Sequence, residues 1–511
     1  MAFFTTDSES YCNPGLAQRG WRRHESMQVA LEAACFCVVG LWCSLQFGLA
    51  DGSRITLALA VAYALPRGVL SQSSGRGRMA SFVLMAVGML MVLSAVSGLW
   101  HCTIGRGGGL PFPKLRSDDA GYYWWAVHSY VGDNVAATQR IPFIGFPLLI
   151  LASFHVMGVS VLWPIAINMM MTLLAIVVTA STAVRVLHGR VEVSAGTIAA
   201  MVIGGCGTLF YFLSQGVAVQ KEASNYLAIS LVAYGLARMC TEGRLRVPLW
   251  RDVLIFALGS VLLSMTRLTM SYFSLAGIAV SMLISPRRNW RYALVLTVVA
   301  VGAFALGMGM TYDYGFDRQA RIVAGAGAMD HLYIRGISQE PYRAIIGDYF
   351  SYTVPHRLLL LPVTGAVQAI IPFPWFIGNL PSSAGDVLPR LGWTWYALLG
   401  IAIYYYIFLS FRRGGNGLGL WALWPLMCFL GVAYVTGGSL NRYVLPFEPL
   451  MMIVATYVVL SVRERHARAS LTRWLVAYGL VLAAVLLVCY NMQSNYYYNP
   501  QPAKTEISTN K

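Results

Sequence analysis

Apolar residues run along this chain in long blocks. They do not show the short alternation of a half-buried sheet or the single stripe of a soluble helix. The blocks lie near 27–49, 55–70, 79–100, 159–187, 196–215, 224–240, 253–266, 268–285, 292–312, 393–411, 417–437, 446–462 and 474–491, with polar connections between them. Most are long enough, as helices, to cross a hydrocarbon core of roughly 30 Å. The pattern predicts an all-α polytopic membrane protein with about 11–13 transmembrane helices. Segments 141–158 and 358–378 are apolar but broken by prolines, and they read as interfacial or re-entrant helices. They belong to two long outer loops, 101–158 and 313–392. The predicted organisation is a cytoplasmic segment 1–26, a single transmembrane domain 27–491 and a short outer tail 492–511.

Composition supports this class. Only 11% of the residues are charged and 57% are apolar, whereas a soluble domain carries about 25% charged residues. That leaves too little charge to cover a water-facing surface, which excludes a soluble enzyme, a disordered chain and a nucleic-acid binder. Cys35, Cys37, Cys43, Cys206, Cys428 and Cys489 sit inside apolar runs and no CxxC pair occurs, so the cysteines read as packing residues. The first apolar run lacks a following small-residue cleavage site and reads as a retained helix, not a signal peptide.

The net charge of +16 is mostly an orientation signal. Threading the blocks alternately from a cytoplasmic N-terminus puts Arg19, Arg22, Arg23, Arg67, Arg76, Arg78, Arg185 and Arg190 on one side. The later clusters at 238–251, 287–291, 412–413 and 463–473 fall on that same side. In all, 21 of the 37 Lys and Arg residues lie there against seven acids. Positive residues in short loops mark the cytoplasmic face.

Four stretches could carry chemistry. Ser117-Asp118-Asp119-Ala120-Gly121-Tyr122-Tyr123 opens an apolar helical run in the first outer loop. Adjacent carboxylates repel, so one tends to a raised pKa, and either can act as a base or bind a metal. They also suit a solvated helix N-terminus. Arg267 interrupts an apolar stretch, where an ionisable residue is costly, although an Arg near an interface also snorkels. Arg442 lies between Gly437-Gly438 and Pro446, with interfacial anchoring as the simpler role. Lys221-Glu222 interrupts another apolar region and serves equally as a self-compensating pair. The second outer loop is of mixed charge, from Asp313 and Asp317 through Asp330, Arg335 and Arg343 to Arg357, which usually means only solvation. The aromatic tracts at 122–125, 404–406 and 496–498 read as interface-belt residues.

DDAGYY in the first large outer loop, followed through Gln139-Arg140 by the Gly/Pro-containing segment from Ile141, resembles the start of GT-C membrane glycosyltransferases. Leu263-Ser264-Met265-Thr266-Arg267-Leu268-Thr269 is similar to that family's joint between two short helices. Asn441-Arg442-Tyr443-Val444-Leu445-Pro446-Phe447-Glu448-Pro449 is similar to its late helix entry. The resemblance spans about 115–462 in the family's order. It implies sugar transfer from a polyprenyl-phosphate carrier to a glycan or lipid acceptor hydroxyl on the non-cytoplasmic face, by one inverting displacement. Asp118 and Asp119 would be catalytic. Arg267, Arg442 and Arg140 would hold the donor phosphate, and Tyr122, Tyr123, Lys221 and Glu222 would bind substrate. Membrane lipids are expected partners and nucleic acid is not. No cofactor is called for, a divalent metal being the one left open. Compact size and the lack of eukaryotic targeting signals point to a bacterial inner membrane.

Two other readings share the same outline. A polymerase of lipid-linked repeat units also has many spans and an Arg-rich outer loop, but does not need the Asp pair. A lipid-linked glycan transporter or flippase would line a cavity with arginines and show two matching halves. The threading makes a direct prediction. Single cysteines placed at Asp133 and Asp330, on a background without reactive thiols, should react with an impermeant reagent from outside intact cells. Protection at both sites until the membrane is opened would reverse the orientation.

Overall fold

The computed structural model describes residues 14–73, 75–104, 117–133, 144–206, 209, 212, 221–240, 249–284, 290–310, 353–370, 395, 398–410, 418–436, 445–461, 469–480, 483–484 and 487. Nearly all of them are helical, and there is no strand among them. The helices are α1 (Pro14–Phe47), α2 (Leu49–Ser71), α3 (Arg78–Ile104), α4 (Ser117–Val131), α5 (Gly145–Met157), α6 (Leu162–Leu187) and α7 (Ala195–Gly205). They continue as α8 (Glu222–Cys240), α9 (Leu249–Thr266), α10 (Ser271–Ile284), α11 (Trp290–Met310) and α12 (Val354–Ile370). The last three named here are α13 (Leu398–Ser410), α14 (Gly419–Thr436) and α15 (Glu448–Ser461). These agree with the apolar blocks to within a few residues at most ends. The clear exceptions are α7, which stops at Gly205 inside the block 196–215, and α1, which extends back to Pro14 through Arg19, Arg22 and Arg23. A proline is well suited to a first helical turn, and the residues that follow it offer no helix breaker but Gly15 and Gly20.

Among the described residues five helical segments are long and apolar enough to cross a membrane: Glu25–Phe47, Arg78–Trp100, Leu162–Leu187, Leu249–Thr266 and Trp290–Met310. They occupy different depths in the bundle. The Leu162–Leu187 window is 78% buried, whereas the windows in α1 and α11 are only 17% and 28% buried. Helix α6 is therefore the axis, and α2, α7, α8 and α15 pack around it. Helices α1 and α11 turn Leu31, Val38, Leu41 and Leu45, and Leu294, Val298 and Val301, outward. Such broad exposed apolar faces call for an apolar surrounding.

Close helix approach rests on small residues. A Cβ on Gly259 of α9 would fall 2.7 Å from the Ala228 carbonyl of α8, and one on Gly235 of α8 would fall 2.6 Å from Phe256 Cβ. Small residues let helix backbones come together in apolar surroundings, where packing and polar contacts drive association. At the α6–α8 contact the hydroxyls of Thr179 and Ser230 lie 3.0 Å apart.

Two buried ionic clusters set the register. Glu32 of α1 accepts hydrogen bonds on one oxygen from Arg67 Nε (3.0 Å) and the Tyr63 hydroxyl (2.9 Å) of α2. Asp252 of α9, fully buried, accepts both Nη atoms of Arg185 from α6, at 2.8 and 2.7 Å. Its Oδ2 also accepts Arg238 of α8 at 2.9 Å. The Arg185 guanidinium lies 4.8 Å from the Tyr234 ring centroid, and Tyr292 of α11 donates to the Gly235 carbonyl at 2.9 Å. Arg185 and Arg238 both come from late turns of their helices, so α6 and α8 run parallel while α9 runs against them.

Among the described residues this alternation gathers Arg76, Arg78, Arg185 and Arg238 at one end. The turn after α2 packs Gly75 on Val184 and Ala199, and Gly77 on Gly196, bringing Arg76 and Arg78 level with Arg185. Asp252→Ala should destabilise the solubilised protein by about 3–5 kcal/mol, because it leaves two arginines without their carboxylate. Unfolding in graded denaturing detergent would measure this, and a loss below about 1 kcal/mol would show that the cluster does not set the register.

Candidate functional site

The opposite end of α8 and α9 collects the polar residues singled out in the sequence. Helix α9 ends at Thr266. Arg267 then adopts an extended backbone (φ −157°, ψ 85°), and a short 3-10 turn, Leu268–Met270, leads into α10. This break turns the chain while Arg267 stays 5% exposed. Gly145, at the start of α5, sits directly on Met265, so α5 docks against the end of α9. Helix α4 then packs on α5 through rings: Tyr122 against Phe146 at 5.8 Å, and Tyr123 against Phe154 at 5.7 Å, both edge-on.

That arrangement carries Tyr122 to the start of α8. Lys221 Nζ donates to the Tyr122 hydroxyl at 2.7 Å. The ammonium lies 5.2 Å from the ring centroid, beyond the hydroxyl and off the tip of the ring, so the contact is a hydrogen bond and not a cation over a π face. Lys221 and Glu222 are each 5% exposed. A cation at a helix N-terminus opposes the helix dipole, whereas Glu222 in the first turn is favoured by it. Lys221 is thus held where an anion would be welcome.

One turn further along α8, Asn225 is fully buried, and its carboxamide meets Thr266 Oγ1 of α9 at 3.0 Å. Two contacts, Lys221–Tyr122 and Thr266–Asn225, thus lie one turn apart on α8, with Glu222 between them along the helix and Arg267 next to Thr266 in the chain. The 3-10 turn Leu445–Phe447 packs against α8, with Phe447 edge-on to Phe273 at 4.8 Å. Glu448, the first residue of α15, is buried there too.

The remaining sequence candidates fall differently. Asp118 and Asp119 are in the first turn of α4, and along the backbone Asp118 precedes Tyr122 by one helical turn. Tyr123 turns toward α5 and away from Lys221, and its burial pushes the phenol pKa upward. Arg140 and Arg442 lie outside the described residues, as do positions 311–352 of the second outer loop. Among the described residues no three His, Cys, Asp or Glu side chains gather as metal ligands.

Sequence reasoning passed over several of these positions. Asn225 and Thr266 were hidden because neutral polar residues in apolar runs usually bond their own helix. Arg357 was grouped with a solvated loop, yet it is 1% exposed at the start of α12. Arg185, Arg238 and Asp252 were counted only as charges marking a side. A lone acid in an arginine-rich connection was the available signal. No family model, curated protein or solved structure matches this chain.

The Lys221–Tyr122 bond can be tested by a double-mutant cycle with Lys221→Met and Tyr122→Phe. A charged hydrogen bond contributes about 1.5–3 kcal/mol, so the two losses should fall short of additivity by that order. Additive losses would show that α4 is not tied to α8.

Proposed function

We propose that this chain is a polytopic membrane glycosyltransferase of GT-C type, working on the non-cytoplasmic face of a bacterial inner membrane. It takes sugar from a polyprenyl-phosphate carrier. The observation that carries this reading is the Lys221–Tyr122 hydrogen bond. It ties the helix bearing Asp118 and Asp119 to the end of the bundle where Arg267 is buried. Two of the quoted motifs, far apart in sequence, thereby lie on elements that meet at one end of the bundle, which supports the reading.

The chemistry follows from those groups. In a single inverting displacement, an acceptor hydroxyl attacks the anomeric carbon as a carboxylate of the Asp118/Asp119 pair takes its proton. The bond from the anomeric carbon to the phosphate oxygen breaks, and the phosphate leaves with the electron pair. Arg267 and Lys221, with Arg442 and Arg140 from the adjoining segments, balance its charge. Guanidinium grips a phosphate bidentately, which an ammonium does not do. A phosphate leaving group needs no nucleotide site. The apolar outward faces of α1 and α11 suit a bilayer, and the gathering of arginines at the Arg185 end suits a cytoplasmic side.

The test is transfer of labelled sugar from a polyprenyl-phosphate donor to membrane extract by purified protein. Free polyprenyl phosphate and a new glycosidic bond are expected. A substrate that only changes leaflet would instead favour a transporter. Asp118→Asn or Asp119→Asn should abolish transfer with the protein still folded. Arg267→Ala should cost about 2–4 kcal/mol in transition-state stabilisation, as for loss of one oxyanion donor, with Lys rescuing in part. Native turnover in both Asp variants would remove the catalytic assignment and favour a polymerase of lipid-linked repeats.

A further inference from the structure

The Thr266–Asn225 contact has an internal conflict whose resolution assigns a chemical role. Thr266 Oγ1 lies 2.7 Å from the Leu262 carbonyl and 3.0 Å from the Asn225 carboxamide oxygen. Both neighbours are acceptors, and a threonine hydroxyl has a single proton to give. The shorter contact, back along its own helix, takes that proton. The Asn225 amide must then turn over, so that Nδ2 donates to Thr266 Oγ1. Which end of an amide is oxygen is decided by its hydrogen-bond partners.

The other end of the carboxamide is fully buried and lacks a hydrogen-bond partner. In the resolved orientation that end is the oxygen, an acceptor. Three residues earlier on the same helix stands Glu222, 5% exposed. Among the described residues no hydrogen bond or ion pair reaches its carboxylate. Positions three apart share a helix face. The first turn of α8 thus presents one fully buried, unmet acceptor on Asn225, with the carboxylate of Glu222 one turn before it and Lys221 next to Glu222 in the chain. Acceptors repel a phosphate and welcome hydroxyl hydrogens. A buried acceptor left unmet is costly, and a hydroxyl-bearing ligand would relieve that cost.

We propose that Asn225 Oδ1, held in place by Thr266, together with Glu222, binds hydroxyl groups of the sugar on a lipid-linked donor, while the neighbouring cations hold its phosphate. This rests on the glycosyltransferase reading and deepens it. Asn225 is a specificity residue, and Thr266 positions it.

The test compares binding of bare polyprenyl phosphate with a panel of polyprenyl-phosphate hexoses and pentoses. The expected wild type binds bare lipid and prefers at least one sugar form. Asn225→Leu should lower that preference about tenfold, the equivalent of one hydrogen bond, and keep its grip on bare lipid, which also reports a folded protein. Thr266→Val, which keeps volume and loses the hydroxyl, should lower the preference severalfold, and it carries the test if Asn225→Leu does not fold. Arg267→Ala should weaken all lipids alike. Absence of binding to bare lipid by the wild type overturns the glycosyltransferase reading itself. Binding of bare lipid without any sugar preference, or a preference that survives Asn225→Leu or Thr266→Val, overturns this inference alone.

Discussion

Asp252 is the point on which the rest of the bundle turns. One fully buried carboxylate receives α6 through a two-pronged Arg185 contact and α8 through Arg238. The buried Arg185 guanidinium without its counter-charge would carry an uncompensated desolvation penalty, and the partly exposed Arg238 adds a second tie to the same carboxylate, so the three helices have one acceptable register. Fixing the register at one end decides what meets at the other. Asn225 faces Thr266 because Arg238 faces Asp252 along the same antiparallel pair, with Gly235 and Gly259 allowing the backbones to close between them.

Among the described residues the site is therefore made of helix ends. Lys221 begins α8, Arg267 follows α9, and Tyr122 arrives on α4, which leans on α5 through Phe146 and Phe154. Residues on the first and last turns of packed helices are as well fixed as the packing beneath them.

Helix positions were legible in the sequence because long apolar blocks leave few alternatives. Blocks 224–240, 268–285 and 292–312 correspond to α8, α10 and α11 within a few residues. Arg267 and Lys221 were legible for the same reason, since a charge in an apolar block stands out. Pairing was not legible. Nothing in the residue pattern says that Arg185 belongs to Asp252 rather than to water, because partners 67 positions apart leave no local trace. Asn225 and Thr266 were harder still. Each is an ordinary helix residue until the other is placed opposite it. The block 27–49 corresponds to the apolar segment Glu25–Phe47, and the helix runs on back to Pro14 because helical hydrogen bonding continues past the point where apolar side chains stop.

The separation of Arg185 from Asp252 also bears on how the molecule is made. Arg185 emerges during synthesis 67 residues ahead of the only carboxylate that receives both its Nη atoms among the described residues. At ribosomal rates of about 5–20 residues per second, that is a wait on the order of 3–13 seconds. Until then α6 carries an unmatched guanidinium, and α8 adds a second one before the acid appears. The axial helix can thus be threaded early, yet it settles against its neighbours only when α9 delivers the missing charge. Assembly order is written into the spacing of three ionised residues: the late arrival of one acid times the closing of the core.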